Sequence, residues 1–175
     1  MGCFLCQKHN GQVAQPPGGY IYEGERWLVC HAPVNLGPLG TLFIESRRHF
    51  LDFAEANEEE LAEYGPLLKK IYAALRSLTG AKRVYQVVFL EGVPHFHAWL
   101  VPRREGDEKG MTFLAKDIVC EQEEAEKLAE KLREFLEDTD TADKATESYD
   151  EWKKDTSVAR SWDEVDSELD NKKAK

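Results

Sequence analysis

Apolar residues recur along the chain with two periods. Leu61, Tyr64, Leu68, Ile71, Leu75 and Leu78 are spaced 3, 4, 3, 4 and 3 apart, which places them on one face of a helix over about Glu58 to Thr79. Asn57 with Glu60 three places on supplies a capping box, and Gly80 a stop. Pro66 predicts a kink or a split near the start of this helix, because its ring blocks the preceding turn. A second helix is expected from about Glu121 to Glu137. There Ala125, Leu128, Leu132 and Phe135 repeat at 3, 4 and 3 and glutamates crowd the first turn. Five β-like runs surround them: Tyr20 to Glu23, Arg26 to His31, Leu39 to Glu45, Arg83 to Leu90 and His95 to Val101. The order is three strands, helix, two strands, helix. Adjacent strands favour antiparallel pairing, so the expected class is α+β, an antiparallel sheet of about five strands with two helices packed against it.

Length and charge then divide the chain. Its 175 residues exceed one typical domain of about 150 by a short remainder. The segment 138–175 holds 12 acidic and 7 basic residues and few aliphatic ones, so it reads as an acidic C-terminal tail, partly disordered or docked through Tyr149, Trp152, Val158 and Trp162. Residues 1–137 form the domain. The whole chain carries 33 acidic and 23 basic residues, a net charge of -10, where a nucleic-acid surface needs clustered Lys and Arg. That argues against nucleic acid as a partner. No apolar run approaches the roughly 20 residues of a membrane span, and the Met-Gly-Cys-Phe-Leu-Cys start lacks the pattern of a secretory signal. A cytoplasmic location is expected, and there four cysteines point to metal or to burial more than to disulfides. Cys30 and Cys120, in apolar surroundings, read as inert core thiols.

Within His95-Phe96-His97-Ala98-Trp99-Leu100-Val101 a period of two sends His95, His97, Trp99 and Val101 to one face of a strand, with Phe96, Ala98 and Leu100 toward the core. Two imidazoles on one strand face can share a metal, or one can be held while the other reacts. Gly92 and Pro94 make a tight entry whose backbone N–H groups can meet an anion.

This run, continued by Pro102-Arg103, resembles the His-x-His-x-His signature of the histidine triad superfamily, with Trp99 at the third histidine. Gly40-Thr41-Leu42-Phe43-Ile44-Glu45-Ser46-Arg47-Arg48-His49 is similar to the family's glycine-bearing entry, apolar strand and basic residue before a histidine, and Cys3-Phe4-Leu5-Cys6 to the Cys-x-x-Cys of its zinc-containing bacterial members. The resemblance covers about residues 1 to 105. It implies a structural zinc held by Cys3, Cys6, His49 and His95, a ligand set that also makes chemical sense for a closed tetrahedral site. His9 in place of His49, or His95 and His97 together, remain as rival arrangements.

The resemblance further implies a nucleotide hydrolase or nucleotidyltransferase acting at an α-phosphate through a phosphohistidine on His97. Substrate contacts would come from Asn35, Gly92, Val93, His95 and Trp99, and the partners would be a nucleotide or nucleotide conjugate and a second copy of the chain. Trp99 departs from the pattern, since an indole N–H donates a hydrogen bond but shuttles no proton at neutral pH. Two other classes stay open: a nucleotide-binding protein with little turnover, and a zinc-stabilised interaction module.

Overall fold

The computed structural model describes residues 2–138 of the chain. The expected acidic tail lies almost wholly outside them. Nine elements follow in order: α1 (Phe4–His9), β1 (Tyr20–Glu23), β2 (Trp27–His31), β3 (Leu42–Ser46), α2 (Glu58–Thr79), β4 (Arg83–Val87), β5 (His97–Arg103), α3 (Met111–Leu114) and α4 (Gln122–Glu137). The strands form one sheet in the order β1-β2-β3-β5-β4, and every neighbouring pair is antiparallel. The class is α+β, as the order of periodic runs implies.

Strand alternation sorts the side chains into two environments. Val29, Leu42, Ile44 and Leu100 join Tyr64, Ile71, Leu75, Leu128 and Leu132 of α2 and α4 in the main core. The intervening residues of the same strands, Cys30 and Phe43, form a second buried cluster on the other face, against Tyr20 and Trp99. All five positions of β3 are buried, because helices cover one face of the sheet while α1 and the residues around α3 cover parts of the other.

Helix α2 begins with the capping box that Asn57 and Glu60 imply and ends on Gly80 in the left-handed conformation, at φ 68°, where glycine alone meets little steric cost. Two expectations for this helix need correction. Pro66 does not split it: the helix runs unbroken past that residue, held by Tyr64, Leu67 and Ile71 against the sheet. Leu61 is 46% exposed, and Glu60 is buried in its place. The Trp27 indole N–H donates to the Glu60 carbonyl and Arg48 donates to both carboxylate oxygens, turning the first turn's polar residue inward.

Three strand limits also differ. β3 starts at Leu42, since the approach through Gly40 runs at φ 92°, and a Cβ there would press on Thr79 and Pro102. β4 stops at Val87, leaving Val88 and Phe89 exposed. β5 starts at His97, two residues later than expected, and runs to Arg103. The short helices α1 and α3 add to the two helices expected. Among the described residues, no helix is long and apolar enough to cross a membrane.

Candidate functional site

Cys3 caps α1 and Cys6 lies one turn into it, so their spacing of three brings both thiols to one side of the helix. That side faces His49, just beyond β3, and His95, just before β5. One ligand atom from each of the four residues lies within 4.8 Å of all the others. Cys3 Sγ stands 3.3 Å from His95 Nδ1, and Cys6 Sγ stands 3.5 Å from Nδ1 of both His49 and His95. A tetrahedral zinc with bonds of about 2.0–2.3 Å would hold its ligand atoms roughly 3.3–3.8 Å apart. The spacing therefore fits that ion, and two thiolates with two imidazoles are a donor set suited to it.

The surroundings prepare the imidazole of His95 for this role. Its Nε2–H donates to the Ser46 carbonyl at 2.6 Å, which leaves the Nδ1 lone pair aimed at the thiols. Burial pushes its pKa below the ordinary histidine value, despite the Ser46 bond, so the neutral form that a metal needs is favoured. The rival arrangements are not those seen. His9 Nε2 is engaged with Glu45 at 2.9 Å, and His97 lies outside the four-residue cluster.

His97 stands at the start of β5, directly opposite Glu45 on β3. Its Nδ1–H donates to the His95 carbonyl at 2.8 Å. A carbonyl can only accept, so this bond fixes the tautomer and leaves the Nε2 lone pair uncommitted. The ring packs edge-on against Phe43, with centroids 5.9 Å apart. Trp99, next on the same face, packs on Phe43 at 4.6 Å and its buried indole N–H has no partner. Together with Asn35, Val87, Phe89, Met111 and Phe113 it lines an apolar cavity of about 320 Å³.

The remaining sequence candidates are placed less closely. Asn35 is exposed at the rim of that cavity, and Gly92 and Val93 sit on the loop before His95. The expected cradle of free N–H groups across Gly92 to His95 requires correction at one end. The His95 N–H is already donated to the Val93 carbonyl, and the next, Phe96 N–H, to Phe50. His31 is structural: Nδ1–H donates to Ala32 and Nε2 accepts from the Gly40 amide. Burial holds its pKa below the ordinary value.

Sequence reading missed a buried polar cluster on this face. Lys8 donates to Glu45 Oε1 at 2.6 Å and to Cys30 Sγ at 3.2 Å, and His9 engages the other Glu45 oxygen. Cys30 is thus buried, but not in wholly apolar surroundings. The signal for the cluster was Glu45 itself, an acid directly after the apolar run Leu42-Phe43-Ile44 and still within the expected strand. Although burial opposes it, the His9 hydrogen bond and the Lys8 charge hold the Glu45 carboxyl below the usual range.

The fold is that of the histidine triad proteins. A zinc-bound histidine triad family protein from Mycobacterium smegmatis superposes with a TM-score of 0.63 at 23% identity, covering 78% of this chain and 96% of that one. A hypothetical histidine triad nucleotide-binding protein from Sulfolobus tokodaii gives 0.62 at 22% identity, covering 77% and 92%. A Hit-like protein involved in cell-cycle regulation from Bartonella henselae gives 0.61 at 18%, covering 77% and 96%. The sequence matches no protein-family model and no curated protein.

Proposed function

We propose that this chain is a zinc-stabilised nucleotide hydrolase or nucleotidyltransferase in which His97 forms a phosphohistidine. The reading rests chiefly on one observation: the Nδ1–H of His97 is held by the His95 carbonyl at 2.8 Å, leaving Nε2 as the nucleophile on a face that also presents an apolar cavity. The histidine triad nucleotide-binding protein from Sulfolobus tokodaii and the zinc-bound protein from Mycobacterium smegmatis, which share the fold, support the substrate class and the metal.

In the proposed reaction Nε2 attacks the α-phosphorus of a nucleotide conjugate. The bond from phosphorus to the leaving group breaks, and water or a second acceptor then takes the nucleotidyl group from His97. Cys3, Cys6, His49 and His95 hold a structural zinc that fixes α1 and the start of β5. The cavity beside Trp99 takes the base or another flat apolar group against the indole ring, with Asn35 meeting a sugar hydroxyl at its rim. Because Trp99 donates but shuttles no proton, conjugates whose leaving group departs as a stable anion are the better substrates. The protein works in the cytoplasm, as a dimer, without nucleic acid. The same Trp99, standing where a proton donor would serve, favours the second reading, a nucleotide-binding protein with slow turnover.

Incubation with adenosine phosphofluoridate and adenylylated amines, followed by intact mass measurement, tests the proposal. A transient nucleotidyl adduct is expected on the wild type, with His97→Asn lowering turnover by at least about 10⁴-fold while nucleotide affinity stays. Turnover unchanged by His97→Asn would overturn it. Affinity without any adduct or turnover would establish the binding reading.

A further inference from the structure

The cluster at Lys8, Cys30 and Glu45 is used neither by the candidate metal centre nor by the proposed chemistry at His97. Lys and Glu are among the residues least often buried, and their burial here needs pairing. Lys8 and Cys30 are both buried, and each side of the triangle they form with Glu45 is short: Lys8 Nζ to Glu45 Oε1 2.6 Å, Lys8 Nζ to Cys30 Sγ 3.2 Å, Cys30 Sγ to Glu45 Oε1 3.5 Å. The Lys8 ammonium also lies 5.4 Å from the centre of the Tyr20 ring. An amine, a thiol and a proton acceptor are thus held in contact, on two elements, α1 and β2, that no other side-chain hydrogen bond joins among the described residues.

A thiol beside an amine has an oxidative outcome besides the usual ladder of sulfur acids, because oxidised sulfur is captured by a neighbouring nitrogen. We propose that Lys8 and Cys30 are a redox-sensitive modification site, joined by dioxygen into a covalent nitrogen–oxygen–sulfur bridge. The Nζ to Sγ distance is closer to the span of such a three-atom unit than to a direct sulfur–nitrogen bond. In the reaction the Lys8 nitrogen gives up its extra proton to the Glu45 carboxylate as its lone pair enters the new bond, because a nitrogen bonded to oxygen is far less basic than an amine. One dioxygen accepts four electrons, two from the Cys30 sulfur and two from the Lys8 nitrogen. One of its oxygen atoms bonds to both, and the other leaves as water with two of the three hydrogens of the amine and thiol. The third hydrogen stays on nitrogen. Excess thiol reductant supplies four electrons in two steps, cleaving the oxygen–sulfur bond and then the nitrogen–oxygen bond of the resulting hydroxylamine. This returns the thiol and the amine and releases the oxygen as water, so the modification is a reversible staple between α1 and β2. It consumes neither Cys3 nor Cys6, and it holds Glu45, which faces His97 across the strands.

Zinc-loaded full-length protein purified without oxygen, then exposed to air-saturated buffer, provides the test. Intact mass should rise by one oxygen less two hydrogens and return on treatment with dithiothreitol. Tryptic digestion should recover a peptide pair linking Lys8 to Cys30, with cleavage after Lys8 blocked, and Tm should rise on the order of 5–10 °C, as for a disulfide closing a loop of this length. Lys8→Arg keeps the charge opposite Glu45 but has no primary amine, and Cys30→Ser removes the sulfur; neither should gain the mass. An unmodified mass after exposure, a loss of two hydrogens alone, stepwise oxygen addition at Cys30, or the same gain in Lys8→Arg would each overturn the bridge. The wild-type peptide map decides the matter even if a variant folds poorly.

Discussion

The two faces of the sheet are buried by different means. Toward α2 and α4 the contents are mainly apolar: Trp27, Phe50 and Phe96 sit edge-on or stacked within about 6 Å of one another. Toward α1 and α3 the same strands present Cys30, Phe43, Glu45, His97 and Trp99, and two of the buried side chains there, Lys8 and Glu45, are ionised. The first face gains stability from area removed from water. The second face depends on pairing, and a paired buried charge contributes little net stability yet is costly to disrupt. Apolar packing and polar pairing are thus assigned to opposite faces of the one sheet.

That contrast can be broken most sharply at Glu45. Glu45→Gln leaves Lys8 charged and uncompensated, and a loss of about 3–5 kcal/mol is expected, against about 2–5 kcal/mol for Ile71→Ala on the other face. The discriminating arm is the double replacement Lys8→Met with Glu45→Leu, which should recover most of the loss. Urea denaturation midpoints of the four proteins measure this. If the double variant is no better than Glu45→Gln, the face does not behave as a paired charge.

A smaller effect is expected from removal of the metal. Chelation, or His49→Ala, should release one zinc per chain and raise amide exchange in residues 3–9, with protection in β2, β3 and α2 kept, because those elements have their own core. Global loss of protection would mean that the metal holds both faces together. The smallest effect concerns pH. Burial holds His31 below its ordinary pKa, so it folds as the neutral form. The unfolded chain binds a proton first as pH falls below about 6.5, and stability declines from there until the lowered folded value is passed, at no more than about 1.4 kcal/mol per pH unit. His31→Gln should remove that part of the slope. An unchanged slope in denaturation between pH 7 and pH 5 would place the titration elsewhere. Glu45 acts in a more acidic window: its contribution is present above the usual carboxylate range and is lost as pH drops through its lowered folded value.

The helix-covered face was readable from periodicity, since α2 occupies Glu58–Thr79 as its spacing implies and α4 starts within one residue of expectation. β1 also has the limits expected. Periodicity served there because burial was by apolar residues, the only kind that hydrophobic patterns record. The four candidate metal ligands were approachable from chemistry and resemblance. The short helix α1 was not, because six residues give barely two turns of pattern and its inward residues include Lys8. The pairing of Lys8 with Glu45 spans 37 positions in sequence and is set by the tertiary fold, where no local rule reaches. The start of β5 was misplaced for a related reason: His95 turns aside to Ser46, a contact 49 positions away.

The clasp between Cys3 and His95 joins residues 92 positions apart, and this has a bearing on how the protein is made. On a ribosome adding about 5–20 residues per second, roughly 5–20 s separate the synthesis of Cys3 from that of its partner. Closing so long a loop is slow unless the intervening sheet forms first. The first metal-binding thiols to be synthesised are therefore among the last to be shielded. For that interval the cluster lacks its fourth ligand, so the complete four-residue site exists only after His95 has been made.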